Sequence, residues 1–387
     1  MTSTTVDNTQ SYTDGKRYWW LLGLVVPTLP LGGYFMVQAT GMGVFWYWPL
    51  LFVYGVLPAL DWLIGTDENN PPESAVPELE DDAYYRWIVY LFVPLHLAIF
   101  IWGGWMFATG GLLWWEALGL ALSLGGVAGL SINTAHELGH KKGAGERWLA
   151  KVCLAPVFYG HFFVEHNRGH HKNVATPEDP ASSRMGESLY AFLPRTVIGS
   201  VKSAWAIEKT RLARLGKGPW TLQNENIQAW LMSVALWGGM IAWLGPIVIP
   251  FLLIQSVYGF SLLEVVNYLE HYGLVRQKTA SGRYERCRPE HSWNSNHTIT
   301  NLFLYHLQRH SDHHANPTRR YQALRDFREA PQLPSGYSGM ILLAYFPPLW
   351  RKVMDPKVVA HYDGDLTRAN LHPPKRDQLL ARYSKAA

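Results

Sequence analysis

The sequence predicts an all-α integral membrane protein of six transmembrane helices with a histidine-rich cytoplasmic cap. Three observations carry that prediction. Six runs of about 20 mostly apolar residues match the length that crosses a hydrocarbon core about 30 Å thick, and Trp and Tyr crowd their ends, as in "YWW" and "FWYW". All 34 Lys and Arg fall in segments that a six-span layout puts on one side. Eight of the 16 histidines gather in three tight groups on that same side.

The elements follow in order. Residues 1–18 form a tail too polar and too poor in positive charge for a secretory signal. Spans cover 19–37 and 44–64. The connector "GTDENNPPESAVPELEDD" is acidic, rich in Pro and without recognisable chemistry. Spans at 87–107 and 113–133 lead into an insertion, 134–226, that holds the first two histidine groups. Two more spans, 227–244 and 247–269, complete a bundle over 19–270. Residues 271–387 make a C-terminal region with the third group. The three turns on the opposite side, 38–43, 108–112 and 245–246, carry no Lys or Arg. Such asymmetry places both termini and all long loops in the cytoplasm.

The histidine groups are "NTAHELGHKK" with His136 and His140, "EHNRGHHKN" with His166, His170 and His171, and "QRHSDHH" with His310, His313 and His314. Spacings of three or four put rings on one helix face, where two imidazoles can converge on one ion. The sixth span ends in "NYLEHYG", which brings His271 to the same side. Eight or nine imidazoles are too many for one ion, so two ions with four or five histidines each are expected. A helix from Trp114 to His140 would have 27 residues and span roughly 40 Å, overshooting the hydrocarbon by roughly 10 Å. The ions would sit just above the inner leaflet.

Carboxylates beside these rings, Glu137, Glu165, Glu270 and Asp312, are expected to accept imidazole N–H groups or to be solvated charges. The two cysteines, Cys153 and Cys287, lie far apart, which excludes a thiolate zinc or iron–sulfur site within the chain. His96, in mid-span, reads as a satisfied core histidine. His161, His291, His297, His361 and His372 read as loop, cap or surface residues.

The three motifs, "EHYGL", "ATPEDPASSRMGESLY" and the long "HSWNSNHTITNLFLYHLQRHSDHHANPTRRYQALRDF" resemble the integral-membrane alkane 1-monooxygenases. These belong to the histidine-box family of membrane desaturases and hydroxylases. The resemblance runs from about the first span to "MDPKVV". It implies a non-haem diiron enzyme that hydroxylates the terminal methyl of medium-chain n-alkanes to primary alcohols with O2. Nine histidines would hold two iron ions, with neither haem nor flavin: His136, His140, His166, His170, His171, His271, His310, His313 and His314. His306 also stands four residues before His310, but the family pattern leaves it out.

Electrons in that family come from NAD(P)H through a rubredoxin reductase and a rubredoxin. No rubredoxin-like cysteine pair occurs here, so the donor would be a separate polypeptide or domain. A bacterial-type inner membrane and contact with lipid are implied; a nucleic-acid partner is not. An apolar slot between helices would take the substrate and set its chain length, with Val53, Leu57, Leu130, Ile132, Asn133, Leu263 and Asn267 as candidate lining. The small residues of "LGGVAGL" would serve helix packing or a channel wall.

Three rivals remain at this level. A fatty-acyl desaturase or hydroxylase would use the same diiron chemistry with a polar entrance for its head group. "HELGH" satisfies the H-E-x-x-H pattern of zinc proteases, with Glu137 as base, although a protease needs one more ligand rather than six or seven more histidines. A metal transporter would call for polar residues at mid-membrane, which these spans almost lack.

Overall fold

The computed structural model describes residues 12–383; positions 1–11 of the predicted tail and the last four of the C-terminal region lie outside it. Among the described residues there is no β-sheet, only isolated bridges. Six helices are long and apolar enough to cross a membrane. They are α1 Trp19–Thr40, α2 Gly43–Ile64, α3 Ala83–Thr109, α4 Trp114–Gly139, α8 Glu225–Leu244 and α9 Pro246–His271. Between α4 and α8 lie α5 Ala144–Leu154, α6 over residues 162–173, and α7 Leu189–Ala213. After α9 come α10 Thr298–Phe303, α11 His310–Ala315, α12 Tyr337–Ala344 and α13 Pro347–His361.

The observed ends have local causes. α3 begins at Ala83 rather than 87, because the Asp82 side chain accepts from the Tyr84 N–H at 2.8 Å and caps the helix there. Gly41, at φ 70°, ends α1, and Gly245, at φ 78°, turns α8 into α9. Both positions need the left-handed backbone that glycine adopts without a steric penalty.

α4 is the central helix, buried along most of its length, and it packs most extensively against α9. The two backbones meet at small residues. A Cβ built on Gly125 would lie 2.8 Å from the Gln255 carbonyl oxygen, and one on Gly129 would lie 2.8 Å from that of Gly259. "LGGVAGL" therefore serves close helix packing, although Gly129 also borders a cavity. His96 is fully buried with Nε2 3.1 Å from the Ser131 hydroxyl, a core histidine with a partner.

α4 continues past the predicted 133 to Gly139, so His136 stands on the last turns of a spanning helix. α9 ends at His271. The paired helices thus deliver histidines to one end of the bundle, where α6, α11 and the loops around them close over the top.

Candidate metal centre

One departure from α-helical geometry and one ordinary helix sort the imidazoles. In α6, residues His166–His170 form a π-helical turn, and the His171 N–H bonds to the His166 carbonyl five residues back. That wider turn sets His166 and His171 edge to face in one set and leaves His170 to the other. In α11, His310 and His314, one turn apart, join one set, and His313, about 100° around the helix from its neighbour His314, joins the other. Each motif therefore feeds two sites at once.

The resulting sets contain five and four rings. His136, His140, His166, His171 and His313 can each offer a nitrogen within 4.8 Å of all the others, and so can His170, His271, His310 and His314. The two sets abut, with the ring centroids of His171 and His314 4.6 Å apart. Within the first, Nε2 atoms face each other at 2.8 Å (His136 and His313), 3.1 Å (His166 and His171) and 3.0 Å (His171 and His313). Within the second, His310 and His314 approach to 2.9 Å, and His271 and His310 to 3.4 Å.

These separations suit a metal. Nitrogens about 2.1 Å from an ion lie roughly 3 Å or a little more from one another, whereas a hydrogen bond between two rings satisfies only one pair. The buried Nε2 atoms of His140 and His170 find no hydrogen-bond partner among the described residues, which is costly unless something else binds them. Burial, reinforced by neighbouring rings, holds His140, His166, His171, His310, His313 and His314 well below the ordinary imidazole pKa. Neutral rings with lone pairs turned inward are what a cation requires.

His170 differs. Burial opposes its charge most strongly, but the Asp179 carboxylate, 3.0 Å from Nδ1, together with the nearby Glu165 and Glu270, raises its pKa. Asp179 is itself fully buried and held by the Ser182 hydroxyl at 2.7 Å. It keeps a proton on Nδ1 and leaves Nε2 free to face the second set. Sequence reasoning missed this residue. The signal was its place in "ATPEDPASSRMGESLY", nine positions after His170 and beyond any helical repeat.

The four carboxylates expected beside the rings behave differently from one another. Glu137 pairs with Lys141 at 2.9 Å and Asp312 with Arg319 at 2.9 Å; both brace the loop around residues 316–325 and have no hydrogen bond to a ring. Glu165 is buried with Oε1 unpartnered, and burial together with the nearby Asp179 pushes it up to about 8. Glu270 does approach a histidine, but its Oε2 lies 3.2 Å from His310 Nε2, the nitrogen that faces the other rings. Its oxygen therefore sits on the inner side of the set, while Tyr337 donates to Oε1 at 2.8 Å.

His306 stays outside both sets. Tyr305 and His306 adopt left-handed backbone, φ 50° and 53°, so the chain reverses between α10 and α11 instead of continuing as one helix. The His306 ring packs on Trp20, and its Nδ1 lies 3.1 Å from the Tyr321 carbonyl.

Beneath the rings, α4 and α9 enclose a narrow, largely apolar chamber bordered by His136, His166 and His310. Leu130, Asn133, Leu263 and Asn267 line it, as does Leu304 beyond the predicted set. Val53, Leu57 and Ile132 do not. They are buried in the core that also holds Ile299, Leu302 and Phe303, because the face of α2 that carries Val53 and Leu57 is occupied by packing.

The model of the fatty acid desaturase family matches residues 113–344, from the start of α4 to the end of α12. The chain is 49% identical over 382 residues to an alkane 1-monooxygenase of Pseudomonas putida, covering 99% of this chain and 95% of that one. It is also 49% identical over 368 residues to alkane 1-monooxygenase 1 of Alcanivorax borkumensis, covering 95% and 91%. The hydroxylase component of a xylene/toluene monooxygenase from Pseudomonas putida is 32% identical over 278 residues, 70% of this chain and 71% of that one. With these helices and paired histidine sets, the chain belongs to the alkane 1-monooxygenases, within the fatty acid desaturase family.

Proposed function

We propose that this protein is a non-haem diiron alkane 1-monooxygenase that converts medium-chain n-alkanes to primary alcohols. One atom of O2 enters the terminal methyl group and the other leaves as water. The observation that carries the reading is the division of nine histidines into two sets at the mouth of an apolar chamber.

A terminal C–H bond is beyond any side-chain base, and iron held by these rings supplies the oxygen activation it demands. The residues of the chain do the rest. His136, His140, His166, His171 and His313 would hold one ion; His170, His271, His310 and His314 the other. Asp179 fixes the tautomer of His170. Leu130 and Leu263 receive the hydrocarbon and keep water out. An alkane already concentrated in the bilayer needs no polar entrance, and the chamber lining contains no Lys or Arg to meet an acyl head group. The protease reading loses its base, because Glu137 is tied to Lys141.

Two electrons must come from outside the chain, whose two cysteines are both unpaired. A rubredoxin reduced by an NAD(P)H-dependent reductase fits that need. Its approach is to the cytoplasmic face of an inner membrane, where the basic residues concentrate. The test is direct: membranes containing the protein receive NADH, rubredoxin, its reductase and octane, and gas chromatography seeks 1-octanol. Product dependent on every component is expected; no octanol from a fully reconstituted mixture contradicts the reading.

A further inference from the structure

Below the histidines and Glu270, the chamber lining is hydrocarbon apart from two amides, Asn133 and Asn267. Both are turned the same way. Asn133 donates through Nδ2 to the Leu304 carbonyl at 2.6 Å, and Asn267 donates through Nδ2 to Glu264 Oε2 at 3.1 Å. Each NH2 group spends one of its two hydrogens on the protein, while among the described residues no hydrogen bond reaches either amide oxygen, so both carbonyl oxygens remain as acceptors at the chamber lining.

The sense of Asn267 is imposed by Glu264. This carboxyl is buried in α9, one turn before Asn267, and no Lys or Arg is among its hydrogen-bond partners. Tyr159 donates to its Oε1 at 2.7 Å, and Thr196 of α7 donates to its Oε2 at 2.7 Å. Three donors thus converge on two oxygens. Facing an acceptor, Asn267 can present only its NH2 group. An ionisable residue in a spanning helix is costly to keep there, and three donated hydrogen bonds, one of them from the Asn267 amide, offset part of that cost.

An n-alkane has no proton to offer a carbonyl oxygen. A primary alcohol has one, at the carbon nearest the rings. We infer that Asn133 and Asn267 are acceptors for the hydroxyl of the alcohol formed in the chamber, and that Glu264 is the positioning residue that fixes Asn267 for this role. The inference rests on the proposed alkane hydroxylation. It means that the site distinguishes product from substrate by one hydrogen bond while treating their hydrocarbon chains alike.

The test compares two ligands of equal length, 1-octanol and 1-fluorooctane, of which only the alcohol can donate. Each displaces radiolabelled octane from the purified, metal-loaded protein in detergent. The hydroxyl has one proton for the two oxygens, so Asn133→Leu and Asn267→Leu combined should weaken 1-octanol relative to 1-fluorooctane roughly three- to tenfold, the range of a single net hydrogen bond, and each single variant by no more than that. Glu264→Gln is the decisive variant, because its own NH2 can face the Asn267 oxygen and reverse that amide. With Asn267 reversed, its NH2 faces the chamber, and methyl heptyl ether, which can only accept, should bind roughly three- to tenfold more tightly than to the unmodified protein, a reversal that a merely structural role of Glu264 would not produce. Thermal melting confirms that each variant is folded, and the near-isosteric Glu264→Gln covers the case in which a leucine variant is not. An unchanged octanol-to-fluorooctane ratio in the folded double leucine variant, or an unchanged ether affinity in Glu264→Gln, overturns the inference while octane turnover persists. An unmodified protein that neither binds nor oxidises octane overturns the reading beneath it.

Discussion

Asp179 shows how much one side chain can decide. Its bond to His170 Nδ1 selects the ring nitrogen that faces the second set. Asp179→Asn should therefore lower metal affinity or activity about 10- to 100-fold with the fold retained, measured by metal titration and octanol formation. His313→Ala has a harsher expected outcome, since His313 Nε2 lies 2.8 Å from that of His136 and 3.0 Å from that of His171. Metal content should fall and turnover should vanish; full metal and full activity in that variant would contradict its place in the set. The gathering of these histidines was legible because they recur at short spacing within a few conspicuous motifs. Asp179 and the inward-facing Glu270 were not, because neither hydrogen-bonding direction nor contact across nine residues of loop follows from helical repeats.

At the scale of elements, the site depends on irregular backbone set against a tightly packed pair. The π-helical turn in α6 and the left-handed residues Tyr305 and His306 were invisible to a periodicity of 3.6, which treats a histidine-rich stretch as one continuous helix. The six apolar helices were legible because length and hydropathy alone set them, and the errors fell at their ends. Chamber lining was half legible: Leu130, Asn133, Leu263 and Asn267 face it, whereas the inner face of α2 is taken up by packing. The α4–α9 contact offers a clean test. Gly125→Val would drive a branched side chain into backbone whose Gln255 oxygen already stands 2.8 Å from an added Cβ. A loss of about 1–3 kcal/mol is expected, read as a lower unfolding temperature in detergent; an unchanged melting curve would contradict the close approach.

At the scale of the whole molecule, the proposed topology has six spans, an even number, and so sets both ends of the chain and every long loop on one side. The proposal that this side is the cytoplasm rests on the charge asymmetry of the sequence. Thr40 and Ser281 are exposed on opposite sides of this layout. In a background lacking native cysteines, Thr40→Cys in intact cells should react with a membrane-impermeant maleimide from the outside. Ser281→Cys should react only after permeabilisation, and the reverse pattern would invert the topology. The central claim concerns what the histidines hold. Elemental analysis of the purified, active protein should find about two irons per chain, falling in step with activity on chelation; a single zinc, or activity untouched by removal of iron, would contradict it.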